Sequence, residues 1–425
     1  MGKKELTKNS AIVFAATFIS SASTFIFQIM MGRSMDMNSF GAFNALLSIQ
    51  LIFSVFTGAL ILLYTRYSAS FWTLGEKGKL HGLYSHAWRN MSAIAVVAFF
   101  AVTATSFLWG ESLNIGSEIP IIFAAFLIAS YFIQSVPLAF VRGMQKFTFF
   151  FYGLGTSGLL KLALGALFIY LGITVEKALL ALLLSVLVSI VIIHRLITPL
   201  LGERTDEGVG IGSSEMVSYG TRAVAATFFP MFFINVDMIL IRSLFEPEFS
   251  GHYAAFGVIG KIIFLGGQIV AVALFPATVS GEASKVDYGN DLVSRAILLV
   301  FLGGGTVTLL ASLFPLQIMS LLFRINDPHT ALMLPWYCGF IMAVSLLLIE
   351  ANHRLARGEY GFLWVAGVAA AVQFWGIYHF AGSLESIIKF QMVLFWTAAI
   401  IRMASLLLFS RAPEKVSAES MADKR

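Results

Sequence analysis

The chain has few charged residues for its length. Only 12% of its 425 residues are Asp, Glu, Lys or Arg, whereas a soluble domain has about a quarter. Apolar residues make up 58%. A soluble protein of this size would need far more polar surface to cover its core, so the composition excludes a soluble globular fold.

Cysteine and catalytic motifs are also scarce. Cys338 is the only cysteine, which excludes an internal disulfide and a cysteine-cluster metal site. The seven histidines are scattered, and the sequence contains no HExxH, GxSxG or Walker motif. We therefore expect a protein that is not an enzyme, with no metal and no cofactor. The basic residues do not cluster with aromatic ones, so we expect no nucleic-acid partner.

The chain is instead rich in apolar segments of membrane-spanning length. A helix needs roughly 20 apolar residues to cross about 30 Å of hydrocarbon, and continuous runs of this length span lipid as helices. The first run, Ala11 to Met31, is too long for a signal peptide, so we interpret it as a retained span. The sequence predicts an all-α membrane protein of about twelve spans, at roughly 10–32, 40–64, 92–110, 119–141, 149–171, 176–199, 216–241, 251–277, 293–315, 330–350, 360–381 and 386–409.

The basic residues outside the spans are distributed unevenly between the two sides of the membrane. If both termini lie on one side, that side carries 19 Lys or Arg and the other carries 5. Positive residues accumulate in cytoplasmic loops. The bias predicts that both termini are cytoplasmic, which requires an even number of spans.

A polar, glycine-rich segment at 201–215 lies near the midpoint and reads as a cytoplasmic linker. It divides the chain into an N-terminal lobe, 1–205, and a C-terminal lobe, 206–425. A shift of 210 residues places Asp36 on Glu246 and Gly41 on Gly251, which indicates a repeat. Two parallel six-helix repeats would enclose a central cavity, an architecture typical of transporters that work by alternating access.

Charges inside the spans are the candidate functional residues, because burial in lipid is costly. Lys161 and Lys261 lie roughly 18 Å and 15 Å into spans 5 and 8, near the membrane midplane. Neither has a carboxylate three or four residues away. They are interpreted as cations that face a cavity and bind an anion, the alternative being structural pairing with a polar group on another helix.

Four further charged residues complete the candidate site. Arg222, Arg66 and Arg142 lie near cytoplasmic helix ends and are candidate substrate-binding residues, since a guanidinium matches phosphate oxygens; membrane topology alone also explains them. Asp237 is a candidate ion-coupling residue or an interfacial residue bonded to a neighbouring helix end. Glu350 and Arg354 are expected to form a weak surface pair.

Several segments resemble one family, the polysaccharide-transport branch of the multidrug/oligosaccharidyl-lipid/polysaccharide (MOP) flippase superfamily. That branch has an Asp at the end of span 7, then a Gly-x-Tyr entry to span 8, which ends in a Pro-containing turn. The matching positions here are Asp237, Gly251, Tyr253 and Pro276. The similar segments are Asp237 to Phe264, Ala273 to Ser284, Gly32 to Ile49, Val141 to Phe147 and Gly158 to Ile173.

The resemblance implies two six-helix bundles with a V-shaped cavity. It also implies a flippase that moves an oligosaccharide or polysaccharide precursor linked to a lipid, usually undecaprenyl diphosphate, across a bacterial cytoplasmic membrane. The expected partners are membrane lipid, the lipid-linked glycan and enzymes of glycan assembly such as a glycan polymerase or glycosyltransferases. The protein itself is expected to be a monomer.

Two other functions stay open. A cation-coupled multidrug exporter of the same superfamily would suit an acidic cavity, whereas the deep charges here are mostly basic. A membrane enzyme of glycan assembly would need a large outer loop, and the predicted outer loops are all about fifteen residues or fewer.

Overall fold

The structure, a computed structural model, describes residues 3–203, 224, 228–283, 289–357, 359–380 and 382–409. The described residues form helices and contain no strand. Eleven of the helices are long and apolar enough to cross a membrane. The predicted all-α, polytopic membrane fold is therefore confirmed. Of the remaining predicted span, 216–241, the structure describes residue 224 and residues 228–241.

The first lobe contains six long helices. They are α1 (Lys3–Ser34), α2 (Met37–Thr73), α3 (Lys77–Trp109), α4 (Ile119–Gly143), α5 (Phe147–Tyr170) and α6 (Val175–Ile197), with a 3₁₀ turn at Thr198–Leu200.

The described part of the second lobe contains residue 224, which is helical, and then a helical stretch at 228–233. It continues with α7 (Val236–Leu244), α8 (Pro247–Ala283), α9 (Gly289–Leu313), α10 (Pro315–Phe323), α11 (Pro328–Ala331), α12 (Leu334–Ala356), α13 (Phe362–His379) and α14 (Leu384–Phe409).

The same packing pattern occurs in both lobes. In the first lobe α4 packs on α2, α3 and α6, and α5 packs on α1 and α6. In the second lobe α12 packs on α8, α9 and α14, and α13 packs on α7 and α14. The predicted two-lobe architecture is confirmed, and the boundary predicted at 205/206 falls outside the described residues.

Short loops with defined caps connect the helices. Asp36 accepts a hydrogen bond of 2.9 Å from the backbone N–H of Ser39 and so caps the N-terminus of α2. Helix α5 ends at Tyr170 and is followed by Gly172, whose positive φ of 79° suits a residue without a Cβ. Lys177 Nζ donates to the carbonyl of Leu171, the C-cap residue, at 2.9 Å and to the Gly172 carbonyl at 2.5 Å, which satisfies the end of α5.

Several helices extend well beyond the predicted spans. The prediction ended span 2 at about residue 64 and began span 3 at about residue 92, yet α2 continues to Thr73 and α3 begins at Lys77. Leu80, Leu83 and Ala87 are buried in this extension. Hydropathy detects the part of a helix inside lipid, whereas these turns are stabilised by packing between helices. Likewise, Pro276 does not end span 8 in a turn, because α8 continues to Ala283.

The lobes meet at one end of the bundle, which we call the closed end. At this end Phe40 of α2 lies against Phe323 of α10, with ring centroids 6.0 Å apart. Arg33 of α1 donates to the Leu321 carbonyl. Every hydrogen bond between the lobes among the described residues lies at this end. The opposite end, where α2 and α4 finish, is called the open end.

Two glycines allow the lobes to approach closely at the closed end. A Cβ on Gly41 would overlap Ser250 Oγ and would lie 2.9 Å from the backbone N of Gly251. A Cβ on Gly251 would overlap the Met37 carbonyl. These glycines are matched by the shift of 210 residues, so equivalent positions of the two halves face each other across the boundary between the lobes.

Glu350 and Arg354 form the expected pair, but the prediction that it lies on the surface is wrong. The Glu350 side chain is 3% exposed and accepts hydrogen bonds from both Arg354 and Arg402. Arg354 also donates to Glu359 at 2.9 Å and to Ser405 Oγ at 2.9 Å. The cluster therefore ties α12 to α14. The sequence did not indicate it, because Arg402 lies in a distant helix.

Candidate functional site

Asp237 lies in the first turn of α7 and is fully buried. Its Oδ2 accepts a hydrogen bond of 2.6 Å from the hydroxyl of Tyr253 on α8. Its Oδ1 accepts from the backbone N–H of Met238 at 2.7 Å. The carboxylate is therefore held inside the second lobe, between α7 and α8.

A chain of two glutamines extends this contact to α13 and α14. Gln391 Nε2 donates to the Tyr253 hydroxyl at 2.9 Å. Gln373 Nε2 donates to Gln391 Oε1 at 2.9 Å and to the Phe233 carbonyl at 2.8 Å. Both glutamines are fully buried. The network thus connects five helical segments of the second lobe through polar groups: 228–233, α7, α8, α13 and α14.

Two buried oxygens in this region have no hydrogen-bond partner among the residues that the structure describes. They are Asn235 Oδ1, two residues before Asp237, and Gln373 Oε1. Buried polar atoms are normally satisfied, so an unpaired acceptor requires an explanation. Carboxylate and amide oxygens suit a proton or a small hard cation. No group of three or more His, Cys, Asp or Glu residues that could hold a metal occurs among the described residues.

Lys261 of α8 lies beside this network and faces the first lobe. It is close enough to Asp237 for the two charges to attract each other. Together with Tyr337 it lines a cavity of about 10 Å³, room for about one water, whose other wall includes Asn44 and Ser48 of α2. Lys261 therefore belongs to the boundary between the lobes and has an acidic neighbour that the local sequence did not indicate.

Lys161 occupies a different place, inside the first lobe. Its side chain is buried between α5 and α1, and its Nζ donates to Thr24 Oγ1 at 2.9 Å. Among the described residues it forms no ion pair with a carboxylate. The buried Gln28 Oε1, one turn from Thr24 along α1, has no hydrogen-bond partner. Lys161 is thus a buried cation with neutral partners.

The two predicted arginines that the structure describes, Arg66 and Arg142, do not lie beside either lysine. Arg142, in the last turn of α4, lies 4.9 Å from the Phe150 ring centroid. Arg66 lies on the exposed part of α2, beside Tyr67. Both belong to the open end of the first lobe, and Arg222 lies outside the described residues. Among the predicted site residues that the structure describes, it brings Asp237 and Lys261 together.

The sequence analysis missed the polar residues that surround these charges. Tyr253 appeared only in the resemblance, and Thr24, Gln373 and Gln391 did not appear at all. The sequence pattern that could have found them is an uncharged, hydrogen-bonding side chain inside an apolar span. Such residues are common in membrane helices, and only the packing shows which of them face a charge.

No protein-family model matches the sequence, and the search of curated proteins finds no match. Solved structures do match. An inward-facing conformation of a multidrug resistance MATE family transporter of the MOP superfamily is 17% identical, with a TM-score of 0.74, and the match covers 93% of this chain and 96% of that chain. An outward-facing conformation of such a transporter is 15% identical, with a TM-score of 0.64 and coverage of 96% and 95%.

The lipid II flippase MurJ, in an inward closed conformation, is 12% identical, with a TM-score of 0.64 and coverage of 93% and 87%. The chain therefore has the fold of these transporters, which is the fold that the resemblance implied. In this fold, the α1–α5 contact holds a lysine, and the corresponding region of the second lobe, where α13 meets α7 and the 228–233 stretch, holds Asp237 and Gln373.

Proposed function

We propose that this protein is a flippase that moves a lipid-linked oligosaccharide or polysaccharide precursor, of the undecaprenyl diphosphate type, across a bacterial cytoplasmic membrane by alternating access. The observation that carries the proposal is the buried, unpaired cation Lys161 in a fold shared with MurJ and the MATE transporters. A buried charge without a counter-ion is costly unless a ligand or a functional requirement compensates for it.

The deep charges favour an anionic cargo. Lys161 in the first lobe has only neutral partners among the described residues, and Lys261 lies in the second lobe at the wall shared with α2. A diphosphate entering between the lobes would supply the negative charge that Lys161 lacks. Arg66 and Arg142, at the open end, would meet such a headgroup on its way in.

The contacts between the lobes support alternating access. Among the residues that the structure describes, the hydrogen bonds that join the lobes lie at the closed end, which leaves the opposite end to admit a substrate. With both termini in the cytoplasm, as the distribution of basic residues predicts, the open end faces the cytoplasm. The higher TM-score to an inward-facing transporter than to an outward-facing one is consistent with this orientation.

Asp237 is the proposed ion-coupling residue. Its buried carboxylate, with the unpaired oxygens of Asn235 and Gln373 nearby, would accept a proton or a small cation. Neutralising Asp237 would remove its attraction for Lys261 and so alter the charge at the boundary between the lobes. The protein would work as a monomer beside the glycan polymerase and glycosyltransferases that make and consume its substrate.

The test replaces Lys161 in cells that depend on this protein for export of the glycan. Lys161→Gln removes the charge and keeps a long polar side chain. We expect export to fall by about tenfold or more, the scale on which loss of a buried charge contact acts. The measurement is the amount of lipid-linked glycan that an impermeant glycan-binding probe reaches on the outer leaflet, normalised to protein level.

Lys389→Gln is the matched control, because Lys389 is a half-exposed lysine that pairs with Glu385 at the helix start. It should leave export unchanged. Deleting the gene should cause lipid-linked glycan to accumulate on the cytoplasmic leaflet. Normal export by Lys161→Gln, or unchanged lipid intermediates after the deletion, would contradict the proposal.

A cation-coupled multidrug exporter is the second candidate, favoured by the buried carboxylate of Asp237 and by the MATE multidrug transporters among the structural neighbours. If it is right, cells that express the protein will extrude a fluorescent organic cation. Asp237→Asn will then abolish extrusion, whereas Lys161→Gln will have little effect on it.

A further inference from the structure

Arg242, at the end of α7, is the largest fully buried side chain among the described residues. It belongs to the second lobe but lies at the closed end, where the two lobes touch. No functional role was predicted for it from the sequence, where it is one of the five Lys or Arg on the side of the membrane opposite the termini. Burying a guanidinium away from water is costly unless its N–H groups are hydrogen-bonded.

Every N–H group of Arg242 has an acceptor. Its Nε donates to the Leu113 carbonyl at 2.7 Å, and its Nη2 donates to Asn38 Oδ1 and to the Asn114 carbonyl, both at 2.7 Å. Its Nη1 donates to the Asn38 carbonyl at 3.2 Å and, within its own lobe, to the Pro247 carbonyl and Ser250 Oγ, both at 3.0 Å.

Four of these six hydrogen bonds cross from the second lobe to the first. They reach two separate parts of the first lobe, the start of α2 and the loop between α3 and α4. Asp36, which caps α2, is close enough to attract the guanidinium. One side chain therefore joins three segments of two lobes, in the region where Gly41 and Gly251 bring the backbones together.

We infer that Arg242 is the gating residue of the closed end, a latch that must open when the lobes separate there. The inference rests on the proposed alternating access but on no particular cargo. Separation removes four acceptors at once from a buried guanidinium. Nη1 keeps Pro247 and Ser250 in its own lobe, whereas the three N–H groups of Nε and Nη2 lose every acceptor and must be hydrated. Opening of this end therefore requires water to reach these three N–H groups.

The chemistry of arginine suits this task better than that of lysine. The planar guanidinium presents five donors in fixed directions, so it contacts Leu113, Asn38 and Asn114 simultaneously. An ammonium group at the same place has three donors around one atom. Arg242→Lys should therefore hold the closed end less well than arginine and better than a neutral side chain.

The test measures the opening of the closed end directly. Cys338 is buried and is replaced by Ala, which leaves a protein without cysteine. Asn44→Cys is then introduced as a reporter, since Asn44 lines the water-sized cavity between the lobes and is 3% exposed. The reaction rate of this cysteine with a charged maleimide is measured on purified, full-length protein in detergent without substrate.

We expect Arg242→Gln to raise the labelling rate about tenfold or more, because removing one partner of a charged hydrogen-bond network shifts equilibria on that scale. Arg242→Lys should give a smaller increase. Asn38→Ala, at an exposed residue that accepts a cross-lobe bond, should also raise the rate with little risk to folding. Arg324→Gln is the matched control, an exposed arginine at the same end, and should change nothing.

The outcomes separate the latch from a purely structural role and from the proposed cargo. If Arg242→Gln fails to fold, Asn38→Ala alone decides. Labelling of the Arg242 and Asn38 variants as slow as that of Arg324→Gln would overturn the inference. The labelling is measured without substrate, so its result does not depend on the cargo. If the Arg242 variants label faster but glycan export is normal in Lys161→Gln, the latch is supported and the flippase is rejected.

Discussion

The cluster around Glu350 allows a sharp test of what stabilises the second lobe. Glu350→Ala removes a carboxylate that is 3% exposed and accepts from Arg354 and Arg402, whose side chains are 17% and 13% exposed. The substitution leaves two mostly buried guanidinium groups without their shared counter-ion. It also breaks the polar connection between α12 and α14.

The expected cost follows from this burial. Removing one partner of a buried ion pair costs about 3–5 kcal/mol, whereas an exposed pair contributes about 0–1 kcal/mol. Since Arg354 keeps its bonds to Glu359 and Ser405, we expect a value near the lower limit, about 3 kcal/mol. Glu359→Ala removes a carboxylate that is 40% exposed and should cost under about 1 kcal/mol.

The assay is thermal unfolding of both variants in the same detergent, followed by the loss of the monodisperse peak in size-exclusion chromatography. Glu350→Ala should unfold at a clearly lower temperature than the parent protein, and Glu359→Ala close to it. Glu350→Gln, which keeps an acceptor without the charge, should fall between them. Equal unfolding temperatures for Glu350→Ala and Glu359→Ala would refute the reasoning.

Two further substitutions test the polar network and the closed end. Tyr253→Phe removes the donor to Asp237 and the acceptor of Gln391. It should lower stability by about 1–3 kcal/mol in the same unfolding assay. Tyr170→Phe, at an 87% exposed position, is the control and should leave stability unchanged. Gly251→Ala places a Cβ against backbone of the other lobe and should raise labelling of the closed-end reporter; an unchanged rate would contradict the close approach of the lobes.

Hydropathy predicted the lipid-crossing part of the helices well, because every residue inside hydrocarbon contributes to the same local signal. It failed beyond the lipid, as the long ends of α2 and α3 demonstrate, since those turns are stabilised by helix packing. It also found Lys161 and Lys261 as deep cations. It could not assign partners to them, because Thr24 and Asp237 lie on other helices.

By itself, the sequence determined that the chain spans a membrane many times as helices, because scarcity of charge and the length of apolar runs are properties of composition and local order. The repeat at a shift of 210 residues also indicated two related halves. The tertiary structure decided the rest. In the tertiary structure Lys261 lies near Asp237, whereas Lys161 donates to Thr24. Arg242 is buried between the lobes. These relations depend on contacts between residues distant in sequence, which local patterns do not encode.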